Sequence, residues 1–392
     1  MINKEYKLYG DGIHDDTDAL QGLIDSSDGE LVLNDPGKCY LISRTITLPS
    51  DFRLVMPEDA TVRLRDGSNC LMLMNRMKRD AAERHGPFSG FSTYLDVYSP
   101  ESSGRNIELV GGIWDGNNMN QRPNPLVTGD FSDPDFNGHA ILFYNVTGLK
   151  ISDVTVKDPT NFGITLDNVK DFTVENIRFD YNLGNPETIC MDGVHLCGNC
   201  AHGVIRNLDG TVYDDLVALN ADEGSSGDIC DIFVDGINAE NCHSAVRILS
   251  CTKSVRNVVI KNISGSYYQY CVGFTKFYDD RTSGVMENIT IDGVRASKAE
   301  RTVYPYPDSF VFPFIYIESQ TRVKNLAVIY LLRIVRTTPV ETFFIGNEAE
   351  VDGFLIENVR TENYTGKMMP LMVQYGSVNG MTMKNAVTVS DI

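Results

Sequence analysis

Asparagine keeps returning at one place in a repeated pattern, and that repeat restricts the chain to coils stacked on coils. From about residue 105, a short β-rich run is followed by a polar turn and then by a second run containing Asn. The second runs are VENIRF around Asn176, VIRNLDG around Asn207, VVIKNIS around Asn262, MENITIDG around Asn288, LIENVR around Asn358 and MKNAV around Asn385. Several of these asparagines lie 26 to 31 residues apart. One coil of a parallel β-helix takes roughly that many residues. A buried Asn at each bend can bond the Asn of the next coil and satisfy polar groups that a turn leaves unpaired. The expected fold is all-β: a right-handed parallel β-helix, with residues 1–392 forming a single solenoid domain.

The first runs align as well. They are Phe162–Leu166, Asp192–Leu196, Asp215–Leu219, Ser244–Ile248 and Tyr270–Phe274. In each, the third and fifth residues are apolar and the fourth varies. Period-two alternation puts the third and fifth inside and the fourth outside. The outward column is therefore Thr165, His195, Ala218, Arg247 and Gly273, with coils about 4.8 Å apart. Residues 15–25 read as a short amphipathic helix that caps the open N-terminal end. Residues 75–105 and 297–310 read as loops inserted on the helix, able to wall a groove. No C-terminal cap is apparent, so a homo-oligomer contact, dimeric or trimeric, is expected at that end.

The formal charge is −19, from 34 basic and 53 acidic residues. That argues against nucleic acid and anionic membranes as partners, and weighs against a long polyanionic substrate. A local basic pocket could still hold one carboxylate. The opening MINKEYKLYGDG lacks the pattern of a signal peptide, and no apolar stretch reaches the length of a membrane span. The nine cysteines are then expected as reduced thiols in the cytoplasm. Cys197 and Cys200 lack the second ligand pair of a zinc site, so they are expected to fill coil interiors.

The residues resemble a known superfamily. The opening Tyr9-Gly-Asp-Gly-Ile-His-Asp-Asp-Thr-Asp-Ala-Leu-Gln21 looks like the first segment of many pectin-lyase-like β-helix proteins. Gly111-Gly-Ile-Trp-Asp-Gly116 resembles a coil of the polygalacturonases, glycoside hydrolase family 28. Met191-Asp192-Gly193 stands where that family carries Asn-Thr-Asp-Gly. Tyr213-Asp214-Asp215 stands where it carries an Asp pair, His243 in the place of Gly-His-Gly, and Lys276 near the lysine of Arg-Ile-Lys. Arg247 lies one coil before the family arginine but in the outward column. Cys190 and Met191 replace Asn-Thr, so the carboxylates match better than the residues that read the sugar.

Glycoside hydrolysis needs one protonated carboxyl and one carboxylate. The alignment puts Asp192 and Asp215 in one column, with Met191, Asp214 and His243 in the next. Carboxyls gathered so closely cannot all ionise cheaply, so at least one pKa should rise. The expected roles are Asp215 as general acid and Asp192 or Asp214 as base. His195, His243, Arg247 and Lys276 are the expected substrate contacts. The resemblance implies inversion of configuration, with a water between acid and base.

Against this, Asp-Gly and Asp-Asp are common turn residues, and Asp15-Asp16 and Asp279-Asp280 recur elsewhere. Asp222 and Glu223 are expected to cap a loop, as reserves for the acid. The Tyr267, Tyr268 and Tyr270 cluster serves equally as a sugar platform or as packing.

The expectation is a glycosidase that removes units from short oligosaccharides, galacturonide-like or galactoside-like, without a metal or other cofactor. Alternatives are a lyase or sugar-rearranging transferase on the same fold, the lyase using Ca²⁺, and a non-catalytic, tailspike-like carbohydrate-binding β-helix.

Overall fold

The computed structural model describes residues 6–79, 98–100, 104–130, 136, 138–186, 190–276, 284–300 and 311–390. Among these, the strands gather into two large parallel sheets, of 17 and 11 strands, that wind around one core. This is a right-handed parallel β-helix. In the 11-stranded sheet, Val194, Val217, Val246, Val272, Ile315 and Phe343 pair in register and stack inward. Leu196, Leu219, Ile248, Phe274, Ile317 and Ile345 form the second inward stack. Apolar residues of like shape on successive coils bury each other along the axis, and a one-residue slip would turn both stacks to the outer face.

The helix Thr17–Ser26 lies over the N-terminal end and buries Leu20 and Ile24. The opening motif serves the fold there. Buried Asp16 accepts the amides of Tyr9 (2.7 Å) and Gly10 (2.9 Å), which pins the turn leading into the helix. Trp114 is wholly buried in the strand Ile113–Asp115.

The asparagines differ from expectation in two respects. They lie at the surface, Asn358 half-buried and the others exposed, and they belong to two columns. One column runs Asn176, Asn207, Gly236, Asn262, Gly293, Tyr330, Asn358 and Asn385. Asn288 sits in the other, between Asn257 and Asn325. Each of these positions has positive φ. The left-handed bend throws the side chain to the outer edge of the coil, where the short amide still reaches its neighbour. Asn288 donates to Asn257 (3.0 Å) and accepts from Asn325 (2.9 Å). Asn288→Ala removes both bonds at φ 57° and is expected to cost about 1–3 kcal/mol. Asn288→Gly should cost less, because glycine tolerates that φ. Urea midpoints of the two variants check the order.

The segment 75–105 contains more strand than expected. Leu73–Asn75 completes a coil, and Met77–Arg79 pairs antiparallel with Tyr98–Pro100. The remainder of that predicted loop, apart from Arg76, Gly104 and Arg105, lies outside the described residues. For 297–310, Ser297 and Lys298 end the strand Met286–Lys298, and residues 301–310 lie outside the described residues. At the far end, Ser377–Ser390 pairs with Glu350–Asn363 and leaves Met381, Met383 and Val387 exposed. Among the described residues, no helix is long and apolar enough to cross a membrane.

Candidate active site

The outward column pairs as Thr165, His195, Ala218, Arg247 and Gly273, then continues through Tyr316 and Phe344. It does not face open solvent. Thr165, His195 and Ala218 are almost wholly buried. Aromatic rings from the turns cover the sheet, and between them lies a cavity of about 450 Å³. Asp192, Asp214, His195, His243 and Arg247 line it.

Asp215 begins the strand Asp215–Asn220 and lies opposite Ser244 on the next coil. Its carboxylate is buried, accepts the Ser244 hydroxyl, and has Arg247 Nη1 at 3.6 Å from Oδ2. Tyr270 OH reaches Oδ1 at 3.5 Å. The Asp215 amide donates to Asp192 Oδ1 at 2.9 Å, which ties the two coils together at this point. Asp214 turns the other way along the chain and keeps more contact with the cavity. It accepts the Cys190 amide at 3.0 Å, and His243 Nδ1 lies 3.5 Å from Oδ1. Cys190 holds a left-handed backbone, φ 53°, which few non-glycine residues adopt. Burial raises the Asp214 pKa well above the carboxylate range, and the charges of Asp192 and Asp215 raise it further. Asp215 is also raised by burial, with Arg247 pulling it back and Asp192 pushing it up.

His195 is held by carboxylates on both sides. Nδ1 is 2.6 Å from Asp192 and Nε2 is 2.9 Å from Glu223. Burial favours the neutral ring, but the bonds to the Asp192 and Glu223 carboxylates outweigh it and hold the pKa well above the ordinary value. The ring is an imidazolium stacked flat on Phe162, with centroids 4.3 Å apart. On the other side of Phe162, His139 meets the ring edge-on and bonds Thr165 at 2.6 Å. Burial drives His139 down to about 3, so it is neutral.

Asp222 and Glu223 have separate tasks. Asp222 is buried and accepts amides of Cys251 (2.6 Å) and Thr252 (3.0 Å), so it is a loop anchor. Glu223 lines the cavity. The chain turns back after it at Gly224, φ 55°, where a Cβ would strike the Asp167 carboxylate. No periodic signal marks Glu223; only its place just beyond the outward strand hints at it.

Lys276 is not brought to the site. Its Nζ bonds Gln320 at 2.6 Å, and it does not line the cavity. The strand Val272–Thr275 ends one residue earlier, and Thr275 takes the place instead, accepting from Arg247 Nε at 3.0 Å. The tyrosines divide. Tyr267 is core, Tyr268 meets the His243 ring edge-on, and Tyr270 forms a cavity wall. Gly273 makes that wall possible, since a Cβ there would overlap the Tyr270 ring. Tyr270, Tyr316, Phe344 and Tyr375 then run as a ladder of rings with centroids 6.0, 5.8 and 5.8 Å apart. Sequence reading missed Phe162, Phe312, Tyr316 and Glu318, all of which line the cavity.

Asp214, Asp215 and His243 present ligand atoms within 4.8 Å of one another, a set that could hold a divalent ion. Cys197 and Cys200 are buried in a coil corner, and burial pushes the Cys197 thiol up to about 11, so it is a neutral packing group.

No protein-family model matches the chain, and no curated protein matches it in sequence. Solved structures do. The family 28 exopolygalacturonase of Yersinia enterocolitica matches with TM-score 0.60 at 12% identity, over 98% of this chain and 76% of that one. The endo-xylogalacturonan hydrolase of Aspergillus tubingensis matches with TM-score 0.55 at 14% identity, over 95% and 98%. The surface adhesin PfbA of Streptococcus pneumoniae matches with TM-score 0.52 at 16% identity, over 98% and 97%. The chain shares its parallel β-helix fold with these two hydrolases and with an adhesin.

Proposed function

We propose that the protein is a glycoside hydrolase that removes units from the end of short oligosaccharides. The observation that carries this is the pair Asp192 and Asp214 on an aromatic-walled cavity, with Asp215 buried beside them and the pKa values of Asp214 and Asp215 both raised by burial. Glycosidic cleavage needs a proton donor beside an ionised carboxylate, and carboxyls crowded together can divide those two roles.

The surroundings of each carboxyl support exchanging the acid and base roles expected from sequence. Asp214 has the carboxyl that reaches the cavity, and burial and the charges of Asp192 and Asp215 raise its pKa, so we assign it as the general acid. Asp192 and Asp215 have oxygens already held by His195, Ser244 and Arg247. Carboxylates so fixed suit holding and polarising a water better than attacking the sugar, which favours inversion. Proton NMR of the first-formed anomer tests it: the inverted anomer is expected, and the retained one refutes the assignment.

Phe162 and Leu126 wall the cavity from the N-terminal coils, whereas the ring ladder continues away from it across later coils. A groove walled at one end supports exo-cleavage, with the rest of the oligosaccharide over Tyr316, Phe344 and Tyr375. Phe344→Ala should raise KM for longer oligosaccharides about 5–10-fold and leave a disaccharide unaffected. Chromatography of early products should show one released unit and no mid-chain fragments. The nine free thiols support a cytoplasmic site of action on imported fragments.

A metal-assisted lyase is the second reading, favoured by the Asp214, Asp215 and His243 set. Loss of turnover in chelator, restored by Ca²⁺, with an unsaturated product, would decide for it. A binding-only β-helix gains if Asp214→Asn and Asp215→Asn leave every measurable property unchanged.

A further inference from the structure

We propose that the sugar seated in this cavity is uncharged, a neutral hexose or pentose unit and not a uronic acid; this rests on the hydrolase reading of the same site. Its charges carry the inference. Among the described residues, Asp192, Glu223 and Glu318 line the cavity beside the acid Asp214, with Asp215 buried next to them, so acidic groups outnumber the basic ones even with Asp214 left out. The positive groups facing these are already engaged. Arg247 is directed at Asp215 and Thr275. The His195 imidazolium has a carboxylate on each ring nitrogen. Lys276 turns to Gln320, and its backbone amide is taken by Glu318 at 2.7 Å.

A sugar carboxylate entering here would lose its water and meet more negative than positive charge. Like-charge juxtaposition in a desolvated site is strongly unfavourable. A neutral sugar meets no such penalty. Its hydroxyls can donate to Glu223 and Glu318, and its C–H faces suit the rings of Phe162, Tyr270, Phe312 and Tyr316.

Matched pairs of aryl glycosides and oligosaccharides, differing only in CH₂OH against COO⁻ at C5, test this on the full chain. The galacto/galacturono and gluco/glucurono pairs would be run for turnover and, separately, for binding by calorimetry. The neutral member of at least one pair is expected to bind or react at least about tenfold better. Glu318→Gln and Glu318→Lys should progressively narrow that ratio. A uronide bound as well as or better than its neutral partner overturns the inference and leaves the hydrolase reading standing. A neutral oligosaccharide that binds without product overturns the hydrolase reading and supports the inference. Binding of neither member in any pair overturns the inference.

Discussion

Asp214→Asn is expected to lower kcat by about 10²–10⁴-fold, the usual cost of losing a positioned general acid. The side chain keeps its size and can still accept the Cys190 amide, so the coil geometry should hold. In the native protein the rate should fall as pH rises through the elevated Asp214 pKa, because the proton is then gone. The variant should lose that alkaline limb. Stability of the native protein falls over the same pH range. A carboxyl whose folded pKa is raised costs nothing below its unfolded pKa, near 3.8, and penalises folding increasingly as pH rises toward the folded value. Asp214→Asn should therefore melt above the native protein at alkaline pH and alongside it near pH 4. An active variant with an unchanged pH profile would sink the assignment of Asp214 as acid. A variant that is inactive but melts below the native protein at every pH would point to a structural role.

Glu223→Ala is expected to destabilise the fold by about 1–3 kcal/mol, the cost of leaving buried donors without their acceptor. It leaves the His195 imidazolium with Asp192 alone and removes the acceptor for Asn220 Nδ2 at 3.1 Å. The His195 pKa is raised in the folded state, so its contribution is full below the unfolded value, near 6.5, and is lost as pH rises through the folded value. Without Glu223 that loss should begin at lower pH. NMR titration of the His195 ring, set beside urea midpoints across the same pH range, measures both. An unshifted His195 titration would mean that Glu223 does not hold the proton. Turnover should fall too, since His195 orients Asp192 through Nδ1.

Much of the fold and part of the site are legible in the residues alone. The outward column from Thr165 to Gly273 follows from alternation in five short runs, and the strands pair in that register. The same register brings Asp192, Asp215, Arg247 and His195 together from positions up to 55 residues apart. The asparagine pattern exposes the limit of that reasoning. Asn262 and Asn288 look like successive members of one column, yet the coil carries two left-handed bends, and Asn288 belongs to the other. Repeats with two similar bends cannot be phased from the bend residues themselves.

Lys276 and Glu223 show the other limit. Both lie just beyond the end of an outward strand, where alternation stops. Lys276 turns away to Gln320, whereas Glu223 folds back over the sheet because Gly224 permits a tight left-handed turn.

What the sequence determines by itself is the repeat, the inward apolar stacks and the identity of the outward column. These are periodic, and every added coil buries another apolar layer that enforces the same register. Tertiary structure alone decides that this column is covered, that His195 is clamped between Asp192 and Glu223, and that burial raises the pKa values of Asp214 and Asp215. Those outcomes depend on where aperiodic turns place Glu223 and Glu318, on how the rings of Phe162 and Tyr270 fold over the sheet, and on the desolvation that follows. Burial and the field of neighbouring charges belong to the assembled coils, and no single run of residues contains them.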